Sequence, residues 1–292
     1  MKKWQEFMVF IVIYLTAILI GLYSLRYVDG PLWLDVFVFD IVMTLVVYFS
    51  SLMVKNASLY DPYWSVIPPV LILYAMIQLD AFALVNVIML LALSVWAVRL
   101  TYNWAINWTS FSHQDWRYDL IKQKTKQFYP LSSLFAIMLL PTVVVYAQVY
   151  VAVAVVKTNA SLTLFSVLPV LVILAGTIIQ YVADKQMKNF REKRSQKRVI
   201  DIGLWQYSRH PNYLGEIIVW WGMYGFYIAV VGKLDFLILA PILMTMLFLG
   251  ISIPMMEKKI LKTRPEYRAY QKQTSMLICL PKRQVREPIK NR

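Results

Sequence analysis

The chain has 292 residues, 59% of them hydrophobic and only 16% charged. An ordinary soluble domain carries about 25% charged residues, so this composition excludes a soluble globular enzyme, a disordered segment and a coiled coil. The formal net charge of +14 points to loops facing anionic lipid rather than to nucleic acid, because the basic residues fall between apolar runs.

A membrane-spanning helix needs about 20 mainly apolar residues. In chain order the apolar runs are Phe7–Leu22, Leu32–Val54, Val66–Ile77, Ala81–Ala105, Ser132–Val156, Leu162–Ala183, Tyr213–Val231 and Phe236–Met256. They are too hydrophobic all round for the amphipathic helices of a soluble fold. The expected fold class is therefore all-α, an integral membrane bundle of about eight transmembrane helices. The third run is short and begins at Pro68 and Pro69, so it is the one on which the count turns. Phe7–Leu22 reads as a span rather than a signal peptide, since no convincing small-residue cleavage site follows it.

Loop charge tests the count. With eight spans and the N-terminus inside, the outer loops hold only Arg26, Lys157 and Lys233. The strongly basic stretches Met1–Lys3, His113–Lys126, Asp184–Arg209 and Glu257–Arg292 all fall on the inner side, as the positive-inside rule requires. Both termini are expected in the cytoplasm, of a bacterial inner membrane protein or one of the endoplasmic reticulum. The expected organisation is N-terminal transmembrane helices over 1–54, a membrane catalytic region over 55–281 and a basic tail over 282–292. One cysteine, Cys279, excludes an intramolecular disulfide and a cysteine-built zinc site. With only His113 and His210 as imidazoles, no metal centre is expected.

Polar groups inside hydrocarbon are costly and mark function or helix pairing. Gln148, Gln180 and Asn86 read as interhelical hydrogen-bonding groups. Asp40 lies mid-span in the second helix, where a carboxylate needs a partner or a water-filled cavity. The loop Leu59-Tyr60-Asp61-Pro62-Tyr63-Trp64-Ser65 is either an interfacial aromatic belt or the mouth of a cavity that uses Asp61. Arg99 ends the fourth span, with Tyr102 beside it. A guanidinium there either snorkels to the surface or grips an anion.

The densest polar region lies between the sixth and seventh spans. It runs from Asp184 through Arg191, and then from Trp205 through Arg209, His210, Pro211, Asn212, Tyr213, Leu214 and Gly215 to Glu216. Pro211 suits a helix start, which aims backbone N–H groups back at the loop, where an anion would be welcome. Gly215 permits close approach of a ligand or a helix. Glu216 is a carboxylate at the membrane edge that needs a partner. After the last span, Glu257 is followed by Tyr267 and Tyr270, spaced to put both rings on one face of a short helix. That helix either lies on the inner leaflet or closes a pocket over a cofactor. No Gly-x-Gly-x-x-Gly, Walker or Gly-x-Ser-x-Gly signature is present.

Trp205–Glu216, Trp220-Trp221-Gly222, Pro254-x-x-Glu257 and Pro265-x-Tyr267-x-x-Tyr270 resemble the C-terminal region of the steroid 5-alpha-reductase superfamily. Asp61–Ser65 and Arg99–Tyr102 resemble segments of its bacterial branch. The resemblance covers roughly residues 55–281. It implies a helical membrane enzyme that binds NADPH from the cytosolic side and reduces a carbon–carbon double bond conjugated to a carbonyl. On that likeness Asp184, Arg191, Asn212, Tyr213, Gly215 and Glu216 fall in regions that contact the dinucleotide. Arg99, Arg209, His210, Glu257, Tyr267 and Tyr270 are expected with them. The steroid enzymes polarise the substrate carbonyl with a glutamate in the loop after the second span and a tyrosine three residues before the arginine matched by Arg99. Here Asp61 stands in the loop and Trp96 at the tyrosine position, so Tyr63 or Tyr102 is left to supply the phenol beside Asp61. The substrate is expected to be lipophilic, taken from among the membrane lipids. A second resemblance runs through Arg209-His210-Pro211-x-Tyr213-x-Gly215, Glu257 and the tyrosine pair. It is similar to isoprenylcysteine carboxyl methyltransferases and phospholipid N-methyltransferases, which use S-adenosylmethionine.

Overall fold

The computed structural model describes residues 2–158, 160–193 and 199–283. Among these residues every regular element is helical. The main helices are α1 (Lys3–Ser24), α2 (Leu32–Met53), α3 (Tyr63–Gln78), α4 (Leu84–Asn107), α5 (Trp116–Thr125) and the single turn α6 (Tyr129–Ser132). A π-helical segment, Ser133–Leu139, runs from α6 into α7 (Leu140–Val156). Then follow α8 (Leu164–Lys193), α9 (Pro211–Val231) and α10 (Leu239–Leu247), which passes through the π-helical Phe248–Ser252 into α11 (Ile253–Thr263). The short α12 spans Tyr267–Gln273.

Seven helical stretches among the described residues are long and apolar enough to cross a membrane. The chain is a multi-pass, all-α membrane bundle. The third expected span is α3, whose 16 residues reach only about 24 Å at 1.5 Å per residue. The sixth expected span is longer than its apolar run, because α8 continues ten residues past Ala183 into polar sequence. The charges expected to form a basic inner loop lie in part on residues 194–198, and most of the expected tail on 284–292; both are outside the described residues.

The chain divides into two compact units. The first comprises Met1–Val170 and Met223–Ala240. Here hydrogen bonds between chain-distant loops fix the helix directions. Asn56, just after α2, donates to the carbonyls of Phe111 at 2.8 Å and His113 at 3.1 Å, just after α4. Glu6, at the start of α1, accepts from the Trp108 indole at 2.8 Å. The start of α1, the end of α2 and the end of α4 therefore share one end of the unit. For α4 to arrive there, α3 must carry the chain to the opposite end, short as it is. Lys55 (φ 55°) and Asp80 (φ 47°), in the left-handed region, make the turns at either end of this step. Phe10 packs among Trp104, Trp108 and Phe111 at centroid distances of 4.7–5.3 Å. The outward face of α1 carries exposed Leu15 and Leu19, an apolar face suited to lipid.

The second unit comprises Leu171–Gly222 and Pro241–Arg292. Its two long helical segments approach backbone to backbone. A Cβ on Gly176 of α8 would lie 2.7 Å from the Gly215 carbonyl, and one on Gly215 of α9 would lie 2.6 Å from the Gly176 carbonyl. Small residues at such a crossing let membrane helices pack closely. Beyond it, the polar end of α8 carries a small core of Ala183, Phe190, Ile200 and Trp205, with Met187 and Leu204 packed against it. The Trp205 indole donates to the Ala183 carbonyl at 3.1 Å, and the Gln186 side chain accepts from the Leu204 N–H at 2.9 Å. The loop before α9 is thereby pinned along α8.

Candidate functional site

In the first unit, Asp61 sits on the turn between the 3₁₀ segment Ala57–Tyr60 and α3. Its partner is Tyr118, whose hydroxyl donates to Oδ1 at 2.6 Å. Tyr118 is delivered by α5, and α5 is held by its N-cap. Asp115 accepts from the Arg117 N–H and pairs with the Arg117 guanidinium at 2.8 Å, while its own N–H donates to Ser58 Oγ at 2.9 Å. Burial pushes the Asp61 carboxyl up to about 6, with the Tyr118 hydrogen bond opposing the rise. The Tyr118 proton is used within the pair, so in weakly acidic conditions the pair has one proton to donate outward, that of the carboxyl.

Tyr63 does not join Asp61. It points into the bundle and donates to Asp40 Oδ1 at 2.9 Å. Tyr102 is 61% exposed and lines a groove of about 440 Å³ on α3 and α4, with Val66, Pro69, Ala97, Val98 and Thr101. Trp96 on the same helix is fully buried, and Arg99 is half-buried one turn beyond it. Among the described residues the phenol hydrogen-bonded to Asp61 is therefore Tyr118, 57 residues away. Tyr118 lies after the fourth span, where no spacing links it to the loop of Asp61.

In the second unit, Glu257 of α11 organises the loop before α9. Its Oε1 accepts from Arg209 Nε at 2.7 Å, from Tyr267 OH at 3.1 Å, and lies 3.1 Å from His210 Nε2. Its Oε2 accepts from Gln271 Nε2 at 2.7 Å. Arg209 is occupied on its other edge as well, donating to the carbonyls of Gln271 at 3.0 Å and Thr274 at 2.7 Å. Tyr270 donates to the Trp205 carbonyl. The Tyr267–Tyr270 pair therefore clamps α12 onto the loop, and burial raises both phenols above the ordinary tyrosine range. The His210 ring stacks on Tyr213, at 5.5 Å and 13°, and Tyr213 packs on Phe248 at 4.9 Å.

Glu216, one turn into α9, is satisfied inside the unit. It accepts from Gln180 Nε2 at 2.5 Å and from Trp220 Nε1 at 2.9 Å. Gly215 meets a helix, as its crossing with Gly176 shows. Gln180, Asp184 and Arg191 follow at i, i+4 and i+11, which places them on one stripe of α8. Asp184 is half-buried on that stripe and Arg191 is exposed at its end. Lys185 and Lys188 are exposed on the same polar stretch. Asn212, in the first turn of α9, keeps a buried Oδ1 with no hydrogen-bond partner among the described residues.

Residues 47–274 match the family described as protein of unknown function DUF1295. The chain belongs to the DUF1295 family. This is a steroid 5-alpha-reductase-like family, and its match takes in both the Asp61–Tyr118 pair and the Glu257 cluster of this DUF1295 chain. An uncharacterized protein of Schizosaccharomyces pombe is 26% identical over 256 residues, covering 76% of this chain and 72% of its own length. No solved structure matches.

Proposed function

We propose that this protein is a membrane-embedded, NADPH-dependent reductase of a carbon–carbon double bond conjugated to a carbonyl in a lipophilic substrate. The observation that carries this reading is the Asp61–Tyr118 pair. A phenol and a carboxyl with a raised pKa are joined at 2.6 Å where a loop meets the spanning helices. With Tyr118 donating to Oδ1, a protonated Asp61 donates one hydrogen bond from its other oxygen to a carbonyl oxygen and stabilises the negative charge that develops there as the double bond is reduced. The Tyr118 hydroxyl, donating to Oδ1, keeps the Asp61 carboxyl oriented.

The residues of the second unit fit a dinucleotide in part. The buried Asn212 Oδ1 is an acceptor awaiting a donor, such as an amide or a ribose hydroxyl. Lys185, Lys188 and Arg191 offer exposed charge to phosphates. Arg209 is spent on Glu257 and two carbonyls, so its part is to hold the loop that presents His210, Asn212 and Tyr213. Bound NADPH supplies the hydride, and the protein supplies orientation and electrostatics. Both termini are cytoplasmic on this reading, which leaves the basic end of α8 facing the cytosolic cofactor pool.

The test is calorimetric titration of NADPH and of S-adenosylmethionine into purified protein in lipid nanodiscs, side by side. The reading expects NADPH to bind and enone lipids to be reduced, with Tyr118→Phe and Asp61→Ala losing turnover. Binding of S-adenosylmethionine alone would replace the reductase by a membrane methyltransferase.

A further inference from the structure

Asp40 is used by none of the chemistry above, yet it is 2% exposed, nine residues into the 22-residue α2. A chain of hydroxyls leads away from it. Tyr63 OH lies 2.9 Å from Asp40 Oδ1, Thr44 Oγ1 lies 3.1 Å from Tyr63 OH, Thr142 Oγ1 lies 3.0 Å from Thr44 Oγ1, and Tyr60 OH lies 2.7 Å from Thr142 Oγ1. All four hydroxyl residues are buried. The groups come from α2, α3, α7 and the 3₁₀ segment before Asp61, all within the first unit.

The direction of this chain follows from proton counting. Each hydroxyl has one proton to give. Tyr63 gives its proton to Asp40, within reach of Oδ1 at 2.9 Å and of the backbone carbonyl at 3.0 Å, so Thr44 must donate to Tyr63. The Thr44 proton is then used, so Thr142 donates to Thr44, and by the same step Tyr60 donates to Thr142. Every O–H along the path points toward Asp40. A series of hydrogen bonds oriented one way from end to end is what a proton relay needs. A purely structural carboxylate needs only its nearest donors.

We infer that Asp40 is a proton-binding site buried within the bundle, loaded and emptied through Tyr63, Thr44, Thr142 and Tyr60. In loading, Tyr60 takes a proton from the loop end and passes its own to Thr142, which passes its own to Thr44. Thr44 then passes its own to Tyr63, and Tyr63 gives its proton to Asp40. Four O–H bonds break within the chain and four re-form there. The one net change is a proton lost at the loop end and a new O–H on Asp40. No electrons move and no co-reactant is consumed. The other titratable groups near Asp40 are phenols: Tyr14 of α1, edge-on to Tyr63 at 5.9 Å, Tyr146 of α7, and Tyr63 and Tyr60 themselves. Asp35 stands five residues earlier on α2. Among the described residues no Lys or Arg forms an ion pair with Asp40, so protonation is the means left to neutralise it.

This inference does not depend on the reductase reading and is tested without turnover. Infrared difference spectra of the full-length protein in nanodiscs, recorded across a pH series, report protonated carboxyl groups by their C=O stretch. Exchange into deuterated buffer then times proton access to each. A buried carboxyl band that titrates and is missing in Asp40→Asn is the expected result. Thr142→Val has the same shape and removes one link. It should keep the band but slow its deuterium shift roughly tenfold, as the loss of one hydrogen-bonded step implies. Tyr60→Phe should slow it equally and stands in if Thr142→Val does not fold. An unchanged spectrum in Asp40→Asn, or wild-type exchange in Thr142→Val or Tyr60→Phe, overturns the relay.

Discussion

The Tyr118 hydroxyl meets Asp61 at 2.6 Å although 57 residues separate them. The meeting depends on Asn56 and Ser58, which tie the loop after α2 to the loop after α4. Tyr118 fixes the position of Asp61, while burial at this meeting point governs its protonation. The carboxyl stands at about 6 in the folded protein against 3.8 ordinarily, because of burial. Between about pH 4 and pH 6 the folded state therefore holds a proton that the unfolded state has lost. Stability falls as pH rises through that window, and the cost is complete above it, at roughly 3 kcal/mol as an upper figure. Asp61→Asn keeps an acceptor for Tyr118 and removes the titration. Thermal unfolding in detergent from pH 4 to pH 8 should show a wild-type decline that the Asn variant lacks. Parallel curves would mean that Asp61 is ionised throughout.

The directions of α1 to α4 make a second expectation. Ser112 lies in the loop after α4, and Lys157 lies at the far end of α7. In a Cys279→Ser background, Ser112→Cys should react with a membrane-impermeant thiol reagent only from the cytoplasmic side. Lys157→Cys should react only from the opposite side. Reversed labelling, Ser112→Cys from outside and Lys157→Cys from the cytoplasm, would contradict the passage of α3 through the bilayer, and labelling of both from one side would contradict that of α7.

The apolar runs of α1, α2, α4, α7 and α9 were legible because lipid demands about 20 apolar residues in a row, and that demand is written locally. The length of α8 was not. Its last turns, Asp184 to Lys193, are polar and are held helical by packing against Trp205 and Leu204, contacts that exist only in the fold. The site was legible in part for the same reason. Asp61, Glu216 and Glu257 stood out as carboxylates beside membrane helices. Their partners Tyr118, Gln180 and Gln271 come from other helices, and no spacing announces them. Gly215 was read as room for a ligand or a helix, and the Gly176 carbonyl shows that a helix takes it.

That crossing makes the third expectation. Gly215→Ala would bring a methyl group to 2.6 Å from the Gly176 carbonyl, and Gly176→Ala to 2.7 Å from the Gly215 carbonyl. A backbone oxygen cannot swing aside as a side chain can, so the helices must part. Each variant should lose about 1–3 kcal/mol. Gly250→Ala, with nothing within 4 Å of its added carbon, should match the wild type. Equal melting temperatures for all three variants would remove the close crossing from the account of this unit.

The Glu257 cluster separates holding a loop from holding a ligand. Glu257 and Arg209 are 13% and 11% exposed and 2.7 Å apart, and the same carboxylate also receives Tyr267 and Gln271. Glu257→Ala strands a half-desolvated guanidinium and should cost about 3–5 kcal/mol, the range for breaking a buried pair on one side. Arg209→Ala should cost a similar amount. The double variant should cost less than the sum of the two, since each change forfeits the same bond. Arg191→Ala should behave in the opposite way. Arg191 is exposed at the end of α8, so its removal should leave unfolding unchanged. It should weaken NADPH binding by roughly tenfold if the guanidinium meets a phosphate through a charge-assisted hydrogen bond. Unfolding and NADPH titration measured on all four proteins decide the matter. A loss of affinity without loss of stability in Arg191→Ala assigns the phosphates to the exposed end of α8. If affinity instead tracks stability through the Glu257 and Arg209 variants and ignores Arg191, the basic stretch serves only to orient the chain in the membrane.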